Sequence, residues 1–417
     1  MMAALRQGPL PPAALVAILG TTQVIGYGTL YYAFAILAED IAASFAWPVS
    51  WIYGAFSVAL LVGGFAAPPV GRALDRHGAP AVMTVGSAAA ALALAATAFA
   101  PSPLLFAAGL ILVEVAATLI LYDAAFTALV QACGTGARSR ITHLTLIAGF
   151  ASTLFWPLTS FLHTEADWRT VLLIFAGLNL FVALPLHALM AVAGRRSAIE
   201  QPTASAAPAL PRDPPMPPAI AKRVFLLVTV GFALSGFLLS ALLAQMVPAL
   251  TALGLGTSAL VVSTLFGPAQ VLVRFVNMVF GVRRHPLAVT LFGMSMLPAA
   301  VLILAASAPA VAGAAVFAIL LGFGSGLKSI VQGTLPLALF GGASYGARLG
   351  RMALVRQFLA AAAPFLFAWH LEVQGPTPAL LTLALVGLLG VAAFLEIARI
   401  RRALHAAPAA LTAEPHA

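Results

Sequence analysis

The sequence predicts an all-α polytopic membrane protein with 12 transmembrane helices in two pseudo-symmetric six-helix bundles, and three observations predict it. First, hydrophobic residues make up 62% of the 417-residue chain and charged residues only 8%. A water-soluble domain carries about 25% charged residues, so the solvent for most of this chain is lipid. Second, apolar runs of about 20 residues recur along almost the whole length, each long enough to cross a ~30 Å hydrocarbon core as a helix. Continuous runs, rather than short alternating segments, disfavour a β-barrel. Third, short elements recur at one offset. Gly136-Ala137-Arg138 returns as Gly346-Ala347-Arg348, and Gly71 returns as Gly281, each 210 positions later. A parallel duplication of six helices is an arrangement that transporters use.

The first six helices are expected at 13–38, 48–70, 80–99, 103–131, 141–163 and 169–192. The second six are expected at 224–249, 258–281, 287–306, 309–340, 351–372 and 378–399. Arg6 precedes the first run as it would in a signal peptide. The run continues past Leu30 without a small-residue cleavage site, so it reads as a retained first helix. Residues 1–193 form the N-terminal bundle, 194–223 a cytoplasmic linker, 224–400 the C-terminal bundle and 401–417 a cytoplasmic tail. Pro208, Pro211, Pro214, Pro215, Pro217 and Pro218 forbid a stable helix in the linker. Pro157, Pro248, Pro268, Pro336 and Pro364 are expected to kink their helices.

The net charge of +9 is a statement about orientation rather than nucleic acid. Arg72, Arg76, Arg138, Arg140, Arg195, Arg196, Lys222, Arg223, Arg283, Arg284, Arg348, Arg351, Arg399, Arg401 and Arg402 fall in alternate connections or the tail. The other connections hold Glu39, Asp40, Glu165, Asp167 and Glu372, with Arg169 as their only cation. The positive-inside rule places the basic connections and both termini in the cytoplasm of a cell whose inner membrane the chain crosses. Trp47, Trp51 and Trp168 fit an external aromatic belt, and His143 and His163 fit the interfaces. The single cysteine, Cys133, excludes an internal disulfide and a multi-cysteine metal site.

Between the second and third helices stands Gly71-Arg72-Ala73-Leu74-Asp75-Arg76-His77-Gly78. Gly71 and Gly78 permit a tight turn and close helix contact, and Asp75 can cap a helix start or pair with a cation. The octet resembles the corresponding loop of the major facilitator superfamily, Gly-x-Leu-x-Asp-Arg-x-Gly-Arg-Arg. Ala79 and Pro80 stand where that pattern has its final basic pair. The resemblance covers essentially the whole chain. It implies a secondary transporter working by alternating access, with Gly71, Asp75, Arg76 and Gly78 as a conformational gate loop. At the 210 offset the second copy reads Val282-Arg283-Arg284-His285-Pro286, without an aspartate, so a charge-based latch is one-sided.

Ionisable groups inside the spans are functional candidates, because burying charge in lipid is costly. Arg274 lies about seven residues inside the end of the eighth helix, Lys328 near the middle of the tenth, and Arg356 early in the eleventh. Only Glu114 and Asp123, both on the fourth helix, are comparable in the first half. Subtracting 210 places Lys328 over Thr118, and Glu114, Thr118 and Tyr122 follow at i, i+4 and i+8 on one stripe. Glu114 is therefore the candidate proton carrier, against the alternative of a neutral carboxyl bonded to a neighbouring helix. Asp123, pointing elsewhere, is expected to partner a nearby cytoplasmic arginine. Gln23, Tyr27 and Tyr31 share a face of the first helix, with Tyr31 and Tyr32 equally suited to an interfacial belt.

Buried cations need a counter-charge, and an anionic substrate supplies one. The alternative for Arg274 and Arg356 is snorkelling to the cytoplasmic interface. Arg274, a second cation at Arg356 and tyrosines on the first and fourth helices resemble the monocarboxylate and oxalate–formate branch, in which two cations bind the substrate carboxylate. The monocarboxylate helix-one signature is absent, with Ile25-Gly26-Tyr27-Gly28 near its place. The drug-efflux motif of the fourth helix is absent too.

The expected function is thus transport of a small organic anion, by proton-coupled symport or antiport. Arg274, Lys328 and Arg356 would bind it, with Tyr27, Tyr122 and Gln332 as hydrogen-bond partners and Glu114 for proton coupling. The alternative is an efflux permease for drugs or for toxic metalloid or oxyanion compounds. No His-rich box, paired acid motif or nucleotide loop points to an enzyme, a metal or a cofactor. The expected partners are the solute and the lipid bilayer, with no nucleic acid, and the expected functional unit is a monomer.

Overall fold

The computed structural model describes residues 10–200, 216–281 and 284–406, and all regular structure among them is helical. Half of the linker expected at 194–223 (residues 201–215), Arg283, and the tail beyond residue 406 lie outside the described residues. Pro218, expected to forbid a helix, instead opens one at the linker's end. Eleven described stretches are long and apolar enough to cross a membrane. One of these, Pro103–Glu165, runs 63 residues, about three times what a crossing needs. It changes direction through a 3-10 turn at Gly134–Gly136, where Gly134 has φ 50°. It therefore makes two crossings, and the chain makes twelve.

We label the crossings α1 (Pro12–Ser44), α2 (Val49–His77), α3 (Ala79–Ala98), α4, α5 and α6 (Trp168–Gly194). α4 comprises α4a (Pro103–Ile120) and α4b (Tyr122–Cys133), and α5 comprises α5a (Ala137–Ala148) and α5b (Ala151–Glu165). The remainder are α7 (Pro218–Ala252), α8 (Ser258–Gly281), α9 (Pro286–Ser307), α10 (Val311–Phe340), α11 (Tyr345–Gln374) and α12 (Pro376–Leu404). Proline opens α1, α4a, α7 and α9, where its missing N–H is one of the helix's own orphans. Ser102 caps α4a, Asp167 caps α6 by accepting from Thr170 N at 2.9 Å, and His285 Nδ1 caps α9 by accepting from Leu287 N at 3.1 Å. That last bond assigns a local task to the residue that the 210 offset pairs with Asp75.

The chain divides into two compact units, Met1–Ala209 with Gly342–Gln357, and Leu210–Gly341 with Phe358–Ala417. In the first unit α4a packs on α2 and α3, α3 also packs on α6, and α1 packs on α5a. Leu19, Leu37, Ile52, Phe106, Phe126 and Phe175 fill its core. In the second, α9 packs on α10, α7 and α9 pack on α12, and α8 packs on α10. Phe232 and Phe394 meet there with ring centroids 5.1 Å apart.

Three details depart from the sequence reading. α2 runs on as helix through Gly71 to His77, so the turn to α3 is Gly78 alone, at φ 84°. α4 breaks at Leu121, whose ψ of −164° is extended, so helical phase carries from Glu114 to Thr118 but not to Tyr122. Trp168 is buried, not lipid-facing. It packs between Phe45 and Phe106, donates from Nε1 to Ser44 Oγ at 3.2 Å, and carries the Arg169 guanidinium 4.3 Å from its ring centroid.

Polar groups inside the first unit are tied in short chains. Ser87 Oγ lies 2.7 Å from His187 Nδ1, and His187 Nε2 lies 3.0 Å from Thr22 Oγ1, each a hydrogen bond. Asn179, in a π-helical turn (Asn179–Ala183), donates to Thr29 Oγ1 at 2.9 Å in a second π-helical turn (Gly28–Tyr32). The His187 chain joins α1, α3 and α6 in the core. His187→Ala is expected to cost about 1–3 kcal/mol from the bonds alone, read as a lower thermal-unfolding midpoint in detergent, with a smaller loss in Ser87→Ala.

Candidate functional site

The expected site residues fall into three groups, one in the second unit and two in the first. In the second unit α8 and α10 approach so closely that a Cβ on Gly326 would lie 2.7 Å from the Gln270 carbonyl oxygen. This brings a polar triad together: Arg274 Nη2 donates to Gln270 Oε1 at 3.1 Å, and Gln270 Nε2 donates to Ser325 Oγ at 3.0 Å. Arg274 is 6% exposed, which is not a snorkelling position. Its Nε is buried without a partner, and no carboxylate pairs with it among the described residues. Lys328 follows Ser325 by three residues on α10 and is half-buried. Gln332, a turn further on, has a buried Nε2 without a partner. Sequence reading had selected Arg274, Lys328 and Gln332. It missed Gln270 and Ser325, whose signal was the i, i+4 spacing of Gln270 to Arg274 and the glycine beside Ser325.

The first group in the first unit surrounds the break in α4. Gln23 is fully buried and donates from Nε2 to Ile120 O at 2.6 Å, satisfying a carbonyl that the break at Leu121 would leave in hydrocarbon. Its Oε1 has no partner. Tyr27 and Tyr122 meet with tilted rings, centroids 4.8 Å apart and planes inclined at 56°. Asp123, in the first turn of α4b, accepts from Arg356 Nη2 at 3.1 Å, with the two side chains 23% and 21% exposed. Arg356, selected as a substrate cation, thus already has a counter-charge, and the arginine expected beside Asp123 is Arg356. Tyr31 and Tyr32 extend the aromatic cluster to Phe56 and Trp156. Glu114 on α4a is 5% exposed, and no hydrogen bond or ion pair joins it to another described residue. Its backbone packs against Gly63 of α2.

The second group is the octet. Asp75 Oδ1 accepts from Gly346 N at 2.9 Å and Oδ2 accepts from Ala347 N at 2.8 Å. Both are first-turn N–H groups of α11, which have no partner inside their own helix, and the carboxylate also meets the positive end of the helix dipole. Gly71 makes the approach possible, since a Cβ there would lie 2.2 Å from the Gly346 carbonyl oxygen. Arg76 is exposed and Gly78 makes the turn.

Two outcomes follow from this geometry. Gly71→Ala is expected to force α2 and α11 apart at a cost of about 1–3 kcal/mol, read as a lower unfolding midpoint. The Asp123→Asn/Arg356→Gln double variant is expected to destabilise less than the sum of the two single variants, because each single leaves one charge uncompensated, measured as a double-mutant cycle of unfolding midpoints.

No curated protein sequence matches the chain. Solved structures that share its fold include three membrane transporters. One is a crystal structure of the human organic anion transporter MFSD10 (TETRAN), with TM-score 0.67 and 15% identity, covering 92% of this chain and 100% of that one. Another is the proton:xylose symporter XylE bound to 6-bromo-6-deoxy-D-glucose, with TM-score 0.66 and 13% identity, covering 92% and 95%. A third is the transporter FucP in the outward conformation, with TM-score 0.63 and 15% identity, covering 93% and 98%. The family match runs over residues 16–364, spanning the octet, the α4 break and the buried Arg274. The chain belongs to the Major Facilitator Superfamily and is a multi-pass membrane transporter, not an enzyme.

Proposed function

We propose that the chain carries a small organic anion, a carboxylate, across the inner membrane by alternating access, with both termini in the cytoplasm and the monomer as the working unit. The observation that supports this most is Arg274. A charge at mid-helix in a bilayer costs roughly 2.5–3.5 kcal/mol or more, and a lone buried guanidinium persists where something compensates it. Gln270 is neutral, so a counter-charge has to come from outside the triad. Guanidinium offers two parallel N–H donors, which matches a carboxylate. Lys328 and the amide of Gln332 add a point charge and a donor along the same helix.

In the first unit the carboxylate of a solute competes with Asp123 for Arg356, and Tyr27 and Tyr122 supply hydroxyls beside that pair. Glu114 carries the coupling proton: its carboxyl has no cation beside it, so taking up a proton removes the cost of a charge in hydrocarbon. Asp75 is the latch of the cycle, holding the start of α11 in one state and releasing it in the other.

The test is counterflow in proteoliposomes against a panel of labelled carboxylates. Arg274→Ala and Lys328→Ala are each expected to reduce uptake at least tenfold, in line with loss of a charge-assisted hydrogen bond. Carriage of neutral or cationic compounds with both variants active overturns the anion reading. Glu114→Gln is expected to keep counterflow and lose accumulation driven by a proton gradient. Unchanged accumulation in that variant removes Glu114 from the coupling.

A further inference from the structure

The octet is held in place by a residue that lies outside it. Gln131, near the end of α4b, accepts from Ala79 N at 2.8 Å through Oε1 and donates to Leu74 O at 2.9 Å through Nε2. The two bonds straddle the α2–α3 turn. One satisfies a last-turn carbonyl of α2, the other a first-turn N–H of α3, and Asp75 is the residue next to Leu74. Both groups are orphans of their own helices, and Gly78 is too short a connection to cover them. Ala79 stands where a basic residue completes the superfamily pattern, and here an amide on α4b ties the turn instead.

The same short helix carries Asp123 at its other end. Asp123 and Gln131 are eight residues apart on α4b, two turns and a fraction, so they lie near one face about 12 Å from each other. Both act on α11. Asp123 holds Arg356 directly, and Gln131 holds the loop whose Asp75 caps Gly346 and Ala347. A Cβ on Gly342 would lie 3.1 Å from Val130 Cγ1, so the approach to α11 runs beside the end of α4b. The break at Leu121 separates α4b from α4a, so a change at its first turn need not be transmitted to α4a.

We propose that Gln131 is a positioning residue for the Asp75 latch, and that through it α4b passes the state of the Asp123–Arg356 pair to the start of α11. Capture of Arg356 by a solute carboxylate frees the first turn of α4b, the turn follows Gln131, and Asp75 is drawn off the Gly346 and Ala347 amides. This rests on the reading of Asp75 as a latch and of Arg356 as a solute-side cation.

Cys133, the only cysteine and half-buried two residues from Gln131, reports on this end of α4b without an engineered probe. Its labelling rate by a fluorescent maleimide is measured in ligand-free proteoliposomes. Gln131→Met, which keeps length without either hydrogen bond, and Asp75→Asn are each expected to raise the rate about tenfold. The double variant is expected to stay within about twofold of the faster single, because both disable one latch. Gln131→Glu, which keeps the acceptor for Ala79 N and loses the donor to Leu74 O, is expected to fall between wild type and Gln131→Met. A rate at the wild-type value in Gln131→Met overturns the proposal, as does a double variant equal to the product of the singles, which would mark a local effect on Cys133. If one Gln131 variant does not yield monodisperse protein, the other decides on the same terms. A wild-type rate in Asp75→Asn with a raised rate in Gln131→Met removes the latch itself. In flux, Gln131→Met is expected to move the half-saturation constants at the two membrane faces in opposite directions, where a merely destabilised carrier loses maximal rate alone. A wild type that carries no carboxylate sinks the anion reading but leaves the labelling result to judge Gln131.

Discussion

A backbone N–H or C=O left unpaired in hydrocarbon has no water to turn to, and each costs several kcal/mol. Three irregularities among the described residues have their backbone groups paired by side chains, one inside a span and two at helix ends. Where α4 breaks at Leu121, the Gln23 amide takes up the Ile120 carbonyl. Where α2 turns into α3 at Gly78, Gln131 covers one orphan on each side. Where α11 begins, Asp75 covers two amides. The side chains that repair the backbone are also those that join one helix to another, so the sites of local disorder in the helical pattern are the sites of mechanical connection.

Charge obeys the same economy with a different solution. Arg356 is neutralised by Asp123 within the first unit, while Arg274 in the second is bonded to the neutral amide of Gln270. One cation is therefore internally compensated, and the other has no carboxylate beside it among the described residues. Glu114, without a cation, and His187, bonded at both ring nitrogens to Ser87 and Thr22, complete the contrast. A buried titratable group with saturated hydrogen bonds serves packing, and one without them is available to function.

Much of this was legible without coordinates. Apolar run length gives the helices because a bilayer has one thickness, and their ends at Pro12, Pro103, Pro218 and Pro286 are marked by a residue that can only begin a helix comfortably. Buried charge was legible as well, since Arg274, Lys328, Glu114 and Asp123 stand out against an apolar background. The break at Leu121 was not, because Leu-Tyr-Asp carries no turn chemistry, and the helical stripe drawn through Tyr122 passed over it. Trp168 was misplaced for a related reason: an interfacial tryptophan and one buried against Phe45 and Phe106 have the same sequence position.

Composition and periodicity settle how many times the chain crosses the membrane and which residues are costly to place there, because those depend on transfer from water to lipid, a property of each residue and its near neighbours along the chain. Which cation has a partner, which aspartate caps which helix, and which amide holds a turn depend on groups far apart in the chain. Asp75 and Gly346 are 271 residues apart, and Gln131 and Leu74 are 57 apart. No local pattern encodes such pairs. They exist because small residues such as Gly71 let helices approach within hydrogen-bonding distance, and that approach is a property of the packed fold.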